Sequence, residues 1–205
     1  MQSFNRAIRS ATNANHLRNR EGRILKAKIN HPVINIFKVK KMRPKKILEI
    51  GCSTGFILQT LQEITKAECH GIDISHNAIK EGKKLFKNVN LTHGFFEDNK
   101  FKKKDFDLII CGFFLFLLPP EKILNMFNKI DKVLIKNGKL IIYDLYNKGF
   151  KKKKYKHNKH LNSYRWDFKK VFLSLPYYKL IYKKISFSKK ICDKIEVSVI
   201  KKVKF

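Results

Sequence analysis

The chain has 205 residues with 46 Lys and Arg against 16 Asp and Glu, a net charge of +30, yet 43% of it is hydrophobic and 12% aromatic. That apolar share is enough for the core of one domain, which excludes a disordered polycation. The longest mainly apolar run, Leu108 to Pro120, is too short to span a membrane and ends in two prolines, and no apolar signal core follows Met1, so a cytoplasmic location is expected.

The first 44 residues read as a helical cap or lid segment, and residues 45–205 as the main domain. From Lys45 to Asp144, short β-rich runs alternate with amphipathic stretches, the pattern of a parallel sheet covered on both faces. Ile47 to Ile50 is a first strand ending at Gly51-Cys52-Ser53-Thr54-Gly55. A helix from about Phe56 to Thr65 follows, with Ile57, Leu58, Leu61 and Ile64 on one face. Glu68 to Ile74 is a second strand, after which Ser75 caps a helix towards Phe86. Val89 to Thr92 and Phe106 to Cys111 are the third and fourth strands. Pro120 opens a helix through Ile130 or beyond, and Lys139 to Asp144 is the fifth strand after an Asn137-Gly138 turn. A basic aromatic stretch then runs to Tyr164, with a short helix from Asp167 to Leu173. Tyr178 to Phe187 and Lys194 to Val203 form a hairpin, closing a seven-stranded α/β sheet that is mainly parallel, with a C-terminal antiparallel hairpin and helices on both faces.

Cys52, Cys69, Cys111 and Cys192 lie far apart, without metal-ligand or redox spacing, and read as small hydrophobes in a reducing compartment. The basic residues are 39 Lys and only 7 Arg. Lys, Asn, Ile and Phe are the residues of A- and T-rich codons, so the charge reads chiefly as composition, and Lys102 to Lys104 and Lys151 to Lys154 as solvated loop runs. Five of the seven Arg (Arg6, Arg9, Arg18, Arg20 and Arg23) precede the first Lys at position 26. Arg kept where Lys is the default suggests a use for its planar, bidentate head, and His16, Arg18 and Arg20 are the candidates for a substrate lid.

The chemistry is concentrated at Glu49-Ile50-Gly51-Cys52-Ser53-Thr54-Gly55, where a strand turns into a helix and open α/β sheets bind ligands. A dinucleotide fingerprint would need glycine at positions 51, 53 and 56, and Ser53 and Phe56 break it. An acid inside an Ile/Leu strand is costly to bury without a partner, which sets Glu49 apart. A second acid, Asp73, ends the next strand. The combination resembles the acidic-x-Gly-x-Gly-x-Gly loop and second-strand acid of class I S-adenosylmethionine-dependent methyltransferases, with Ser53 at the middle glycine. The resemblance covers nearly everything from Lys45 onward and implies a Rossmann-like fold, S-adenosyl-L-methionine as cofactor, and Asp73 on the ribose hydroxyls. It implies a cofactor site of Glu49, Gly51, Cys52, Ser53, Gly55, Asp73, Ile74, Phe95, Phe96 and Cys111. Where the family often has an acid or hydroxyl after the glycine of the third loop, Phe95 and Phe96 follow Gly94, and Phe95 is placed to pack on the adenine.

The segments Cys111 to Leu117, Leu140 to Tyr146, Asn162 to Asp167 and Ile195 to Ile200 resemble a little-characterised bacterial subgroup of these enzymes, taken to act on a small molecule at oxygen or nitrogen. A general base is needed only where the acceptor must lose a proton, and the candidates are Asp144, His157, His160 and Tyr164. Metal is not expected, because Cys111-Gly112 offers no acid at the end of the fourth strand. A base-amino methyltransferase would need Asn or Asp before Pro-Pro and an aromatic there, and a cytosine-carbon enzyme a Cys beside Pro; neither pattern is present. Nucleic acid as acceptor thus rests on charge alone. A cofactor-binding protein without catalysis is a further alternative, and oligomeric state is not legible.

Overall fold

The computed structural model describes residues 31–203, so most of the expected N-terminal cap, with its candidates His16, Arg18 and Arg20, lies outside the described residues. Seven strands form one mostly parallel sheet in the order β3 (Asn90–His93), β2 (Glu68–Asp73), β1 (Lys46–Ile50), β4 (Phe106–Gly112), β5 (Leu134–Leu145), β9 (Asp193–Lys202), β8 (Tyr178–Ser188), and a separate two-stranded sheet pairs β6 (Lys151–Tyr155) with β7 (Asn158–Arg165). The chain divides into two compact units, Met1–Asn99 and Lys100–Phe205.

In the first unit, helix α1 (Pro32–Lys40) begins at His31, whose Nδ1 accepts from the Val33 N–H at 3.3 Å, and buries Val33, Ile34, Ile36 and Phe37. Burial lowers the His31 pKa to about 4. Strand β1 (Lys46–Ile50) pairs in parallel with β2 (Glu68–Asp73), and β2 with β3 (Asn90–His93). Helix α2 (Phe56–Thr65) buries Leu58, Thr60 and Leu61, while Ile64, expected on the same face, is 48% exposed. Ser75 caps α3 (His76–Leu85) as expected, its Oγ accepting from Ala78 N–H at 3.3 Å.

In the second unit, β4 (Phe106–Gly112) pairs in parallel with β5 (Leu134–Leu145), and α4 (Pro120–Val133) connects them. Asn137-Gly138 is not a turn ahead of the strand. It lies within β5, where Asn137 takes φ 62°, and the pairing jumps from Phe106–Leu134 to Leu108–Lys139. The loop reading of Lys151 to Lys154 is also corrected. These residues form the exposed strand β6 (Lys151–Tyr155), paired antiparallel with β7 (Asn158–Arg165). Four consecutive lysines carry no alternation, so β6 owes its strand to the register of β7 and to buried Tyr155, Leu161, Ser163 and Tyr164. A short helix α5 (Lys169–Leu173) precedes β8 (Tyr178–Ser188), which with β9 (Asp193–Lys202) makes the expected hairpin against β5. Strand β9 is buried from Ile195 to Ile200, whereas edge strand β8 is largely exposed and guarded by Lys179, Lys183 and Lys184. Cys52, Cys69 and Cys111 are buried as read, but Cys192 sits exposed in the hairpin turn at φ 52°.

Candidate functional site

At the end of β1 the chain must leave the sheet and enter α2 within five residues, and three left-handed residues do this: Gly51 (φ 75°), Ser53 (φ 51°) and Gly55 (φ 80°). The Gly51 and Cys52 N–H groups both donate to the Ile72 carbonyl, at 2.8 and 3.2 Å, tying the loop to β2. Asp73 completes the tie. One carboxylate oxygen accepts from Ser53 N–H and the other from Ser75 N–H, each at 2.8 Å, so this acid links the turn after β1 to the turn after β2. Its own carbonyl accepts from Gly94 N–H at 3.0 Å, bringing the turn after β3 to the same end of the sheet. A Cβ built on Gly94 would meet nothing within 4 Å among the described residues.

Glu49 is 1% exposed, and its Oε2 has no hydrogen-bond partner among the described residues. Burial, and then the charge of Asp73, raise its pKa well above the usual carboxylate range. An orphaned carboxylate oxygen costs stability unless a donor or cation reaches it. The set of one buried acid, one strand-end acid and a left-handed loop therefore fits a cofactor carrying an ammonium group and ribose hydroxyls.

The other sequence candidates in this unit divide. Ile74 and Phe95 are half-buried and can lie against a ligand. Phe96 is 2% exposed, a core ring rather than a ligand-facing one. Cys52 points its thiol towards Gly71, where a Cβ would stand 2.6 Å from Sγ, so its side chain packs the loop and only its backbone belongs to the turn. Burial first, then Asp73 and Glu49, push its thiol pKa well up, so it is unreactive.

In the second unit Cys111 is fully buried in β4. Asp144, read as a possible base, is 1% exposed, with one oxygen accepting from Leu115 N–H and the other from Leu145 N–H, both at 2.7 Å. Phe114 and Phe116 N–H groups also bond it. Burial pushes its pKa up to about 7 against these backbone bonds. Asp144 thus holds the turn after β4, a job that sequence alone did not suggest. His157 is exposed in the β6–β7 turn with its ring on the edge of Tyr155 at 5.4 Å, His160 is exposed on β7, and Tyr164 is 8% exposed beside Phe150.

What the sequence did not single out is an aromatic cluster at the C-terminal ends of β4 and β5. Phe113 lies 5.4 Å from Phe116 and 5.5 Å from Tyr143 between ring centroids, and Phe116 lies 5.8 Å from Tyr155. Phe113 takes φ 59°, an unusual conformation for a large residue, and its N–H donates to the Tyr143 carbonyl at 2.7 Å. A nearby cavity bordered by Asp144, Trp166, Lys169 and Glu196 holds about 10 Å³, room for one water and not for an acceptor. Behind it Lys169 is 4% exposed and bonds Asp167 at 2.5 Å and Glu196 at 2.8 Å. No group of His, Cys, Asp and Glu among the described residues could hold a metal ion, and no described helix is long and apolar enough to cross a membrane.

Residues 47–138 match the family model of a methyltransferase domain. No curated protein matches the chain. Among solved structures, the Burkholderia thailandensis 1,6-didemethyltoxoflavin-N1-methyltransferase, with bound 1,6-didemethyltoxoflavin and S-adenosylhomocysteine, is 13% identical at a TM-score of 0.77 and covers 99% of this chain and 90% of its own. A Pyrococcus horikoshii protein is 19% identical at 0.68, covering 87% and 91%. The complex of the Haloferax volcanii Trm112 methyltransferase activator with a methyltransferase matches at 11% and 0.68, covering 94% and 98%. At such identities the likeness is one of fold, and it agrees with the loop geometry and the matched domain. Residues 47–138 are thus matched to a methyltransferase domain, and the fold around them is one shared with S-adenosylmethionine-dependent methyltransferases.

Proposed function

We propose that this methyltransferase acts on a small, largely apolar acceptor at nitrogen or oxygen, and that the Glu49 to Gly55 loop with Asp73 holds the cofactor. Phe113 and Tyr143, half-buried rings backed by the buried rings of Phe116 and Tyr155, carry the acceptor reading, because rings offered at strand ends recognise flat apolar molecules. The small heterocycle bound in the Burkholderia neighbour is in keeping with it.

S-adenosylmethionine supplies an electrophilic methyl on a sulfonium. Transfer is an in-line displacement, so orientation of the acceptor and exclusion of water carry most of the rate. Glu49 would hold the ammonium of the methionine moiety, and Asp73, oriented by the Ser53 and Ser75 N–H groups, would accept the ribose hydroxyls. Ile74 and Phe95 would lie against the adenine. Asp144 keeps the turn after β4 in place and moves no proton from the acceptor.

The test is transfer of labelled methyl from S-adenosylmethionine into small-molecule extract and total RNA in parallel, with Phe113→Ala beside the wild type. Label in a small product, lost in the variant, supports the reading; label found only in RNA refutes it. The cofactor half is tested by calorimetry of S-adenosylhomocysteine in buffers of different ionisation enthalpy. Burial raises the Glu49 pKa, so a cation at its carboxylate should release a proton on binding, and Glu49→Gln should abolish that release.

A further inference from the structure

A glycine in a helix interior weakens the helix and so calls for a packing reason. Gly82 is buried in α3, and a Cβ there would stand 2.2 Å from the Thr54 carbonyl oxygen and 2.9 Å from the Thr54 carbonyl carbon. Both are backbone atoms of the Gly51 to Gly55 turn and cannot rotate away. The same Cβ would meet Leu91 Cδ1 at 2.6 Å. Leu91, 5% exposed on β3, is also what a Cβ would strike at Gly55 (Cδ2 at 2.7 Å) and at Gly71 (Cδ2 at 2.8 Å). One isobutyl group therefore sits in a collar of three glycines drawn from the turn, β2 and α3. Each glycine lets backbone close on it.

We propose that Gly82 and Leu91 are positioning residues for cofactor binding: the bare backbone of α3 and the Leu91 wedge fix the height of the Thr54 carbonyl and hence the path of the turn that carries Gly51 and Ser53. The inference rests on the cofactor reading of that turn. A side chain at Gly82 must push the turn, and a shortened Leu91 must leave it unsupported on that side. Neither residue needs to touch the ligand, since each acts through Thr54 and Gly55.

Gly82→Ala and Leu91→Val test this, each measured for S-adenosylhomocysteine affinity by calorimetry, for melting temperature, and for amide exchange of residues 51–55. Val suits a β-strand and is one carbon smaller, with branching at Cβ and no δ-methyls to fill the collar, so it keeps the test open should Gly82→Ala not fold. The expected result is at least a tenfold loss of affinity in Gly82→Ala and at least a threefold loss in Leu91→Val, with exchange in the turn faster than any fall in melting temperature explains. Affinity within twofold of wild type in the folded variants, or a loss that merely tracks melting temperature, overturns the proposal. If the wild type itself does not bind S-adenosylhomocysteine, the cofactor reading fails, while unaltered turn exchange in the variants would separately refute the positioning role.

Discussion

Asp144 gives a pH signature that can be worked out from its surroundings. Its pKa is pushed up to about 7 by burial, although several backbone N–H groups donate to it. In the unfolded chain it titrates near 4, as a solvated aspartate does (about 3.9). The folded state therefore holds the proton more tightly, and the stability this lends is complete below about pH 4 and is lost as the pH rises through about 7. At about 1.4 kcal/mol per unit the full span is about 4 kcal/mol, of which about 2.5 kcal/mol falls between pH 5 and pH 8. Asp144→Asn removes the titration. It also sets an amide NH₂ against the Leu115 or Leu145 N–H, a penalty that does not vary with pH. Urea unfolding of both proteins at pH 5, 6, 7 and 8 should thus give a stability difference, wild type minus variant, that falls by about 2.5 kcal/mol across the series. Glu49 and every other acid titrate in both proteins and cancel. A difference that stays flat, or rises with pH, would refute a buried, proton-binding Asp144 and return it to the list of ionised bases.

Ser53→Gly should stabilise the protein by about 0.5–1 kcal/mol, raising the melting temperature by about 1–4 °C, because φ 51° strains a residue with a Cβ; a lower melting temperature would mean that the Ser53 hydroxyl has work of its own. Lys169→Met leaves Asp167 buried without its cation and Glu196 with only Lys183 at 3.9 Å, and should cost about 3 kcal/mol. The urea midpoint reads both, and a loss under about 1 kcal/mol would count against the buried ion cluster as a support of the fold.

The strand-turn-helix at Glu49 to Gly55 was legible because its signals are local: an apolar run, an acid at its end, and small residues where φ must turn positive. The Ser75 cap and the closing hairpin were legible for the same reason. Strand β6 was not, since Lys151 to Lys154 have no alternation and are strand only because β7 pairs with them. Asn137-Gly138 was read as a turn, but whether it precedes a strand or interrupts one depends on the register with β4. Asp144 and Gly82 mark the limit most clearly. The sequence shows an acid after a strand and a glycine inside a helix, whereas the N–H groups around one and the Thr54 carbonyl beside the other arise only when distant segments meet.

The net charge of +30 is itself a poor guide to the acceptor, and the distribution of buried charge says why. Among the described residues the buried charged side chains are Glu49, Asp73, Asp144, Asp167 and Glu196, with Lys169 the single base. Five of the 16 acids in the chain are thus interior, whereas Lys, the commonest charge, is mostly left to solvent. The scarce sign is where the structure places its turn ties and its orphaned oxygen; the abundant sign coats the exterior. Such a coat binds any polyanion through counterion release, with affinity that falls steeply as salt rises and with no choice of sequence or atom. Retention of RNA at low salt would therefore report the coat and not the site. Methyl transfer that survives physiological ionic strength is the measurement that separates an acceptor from a counterion.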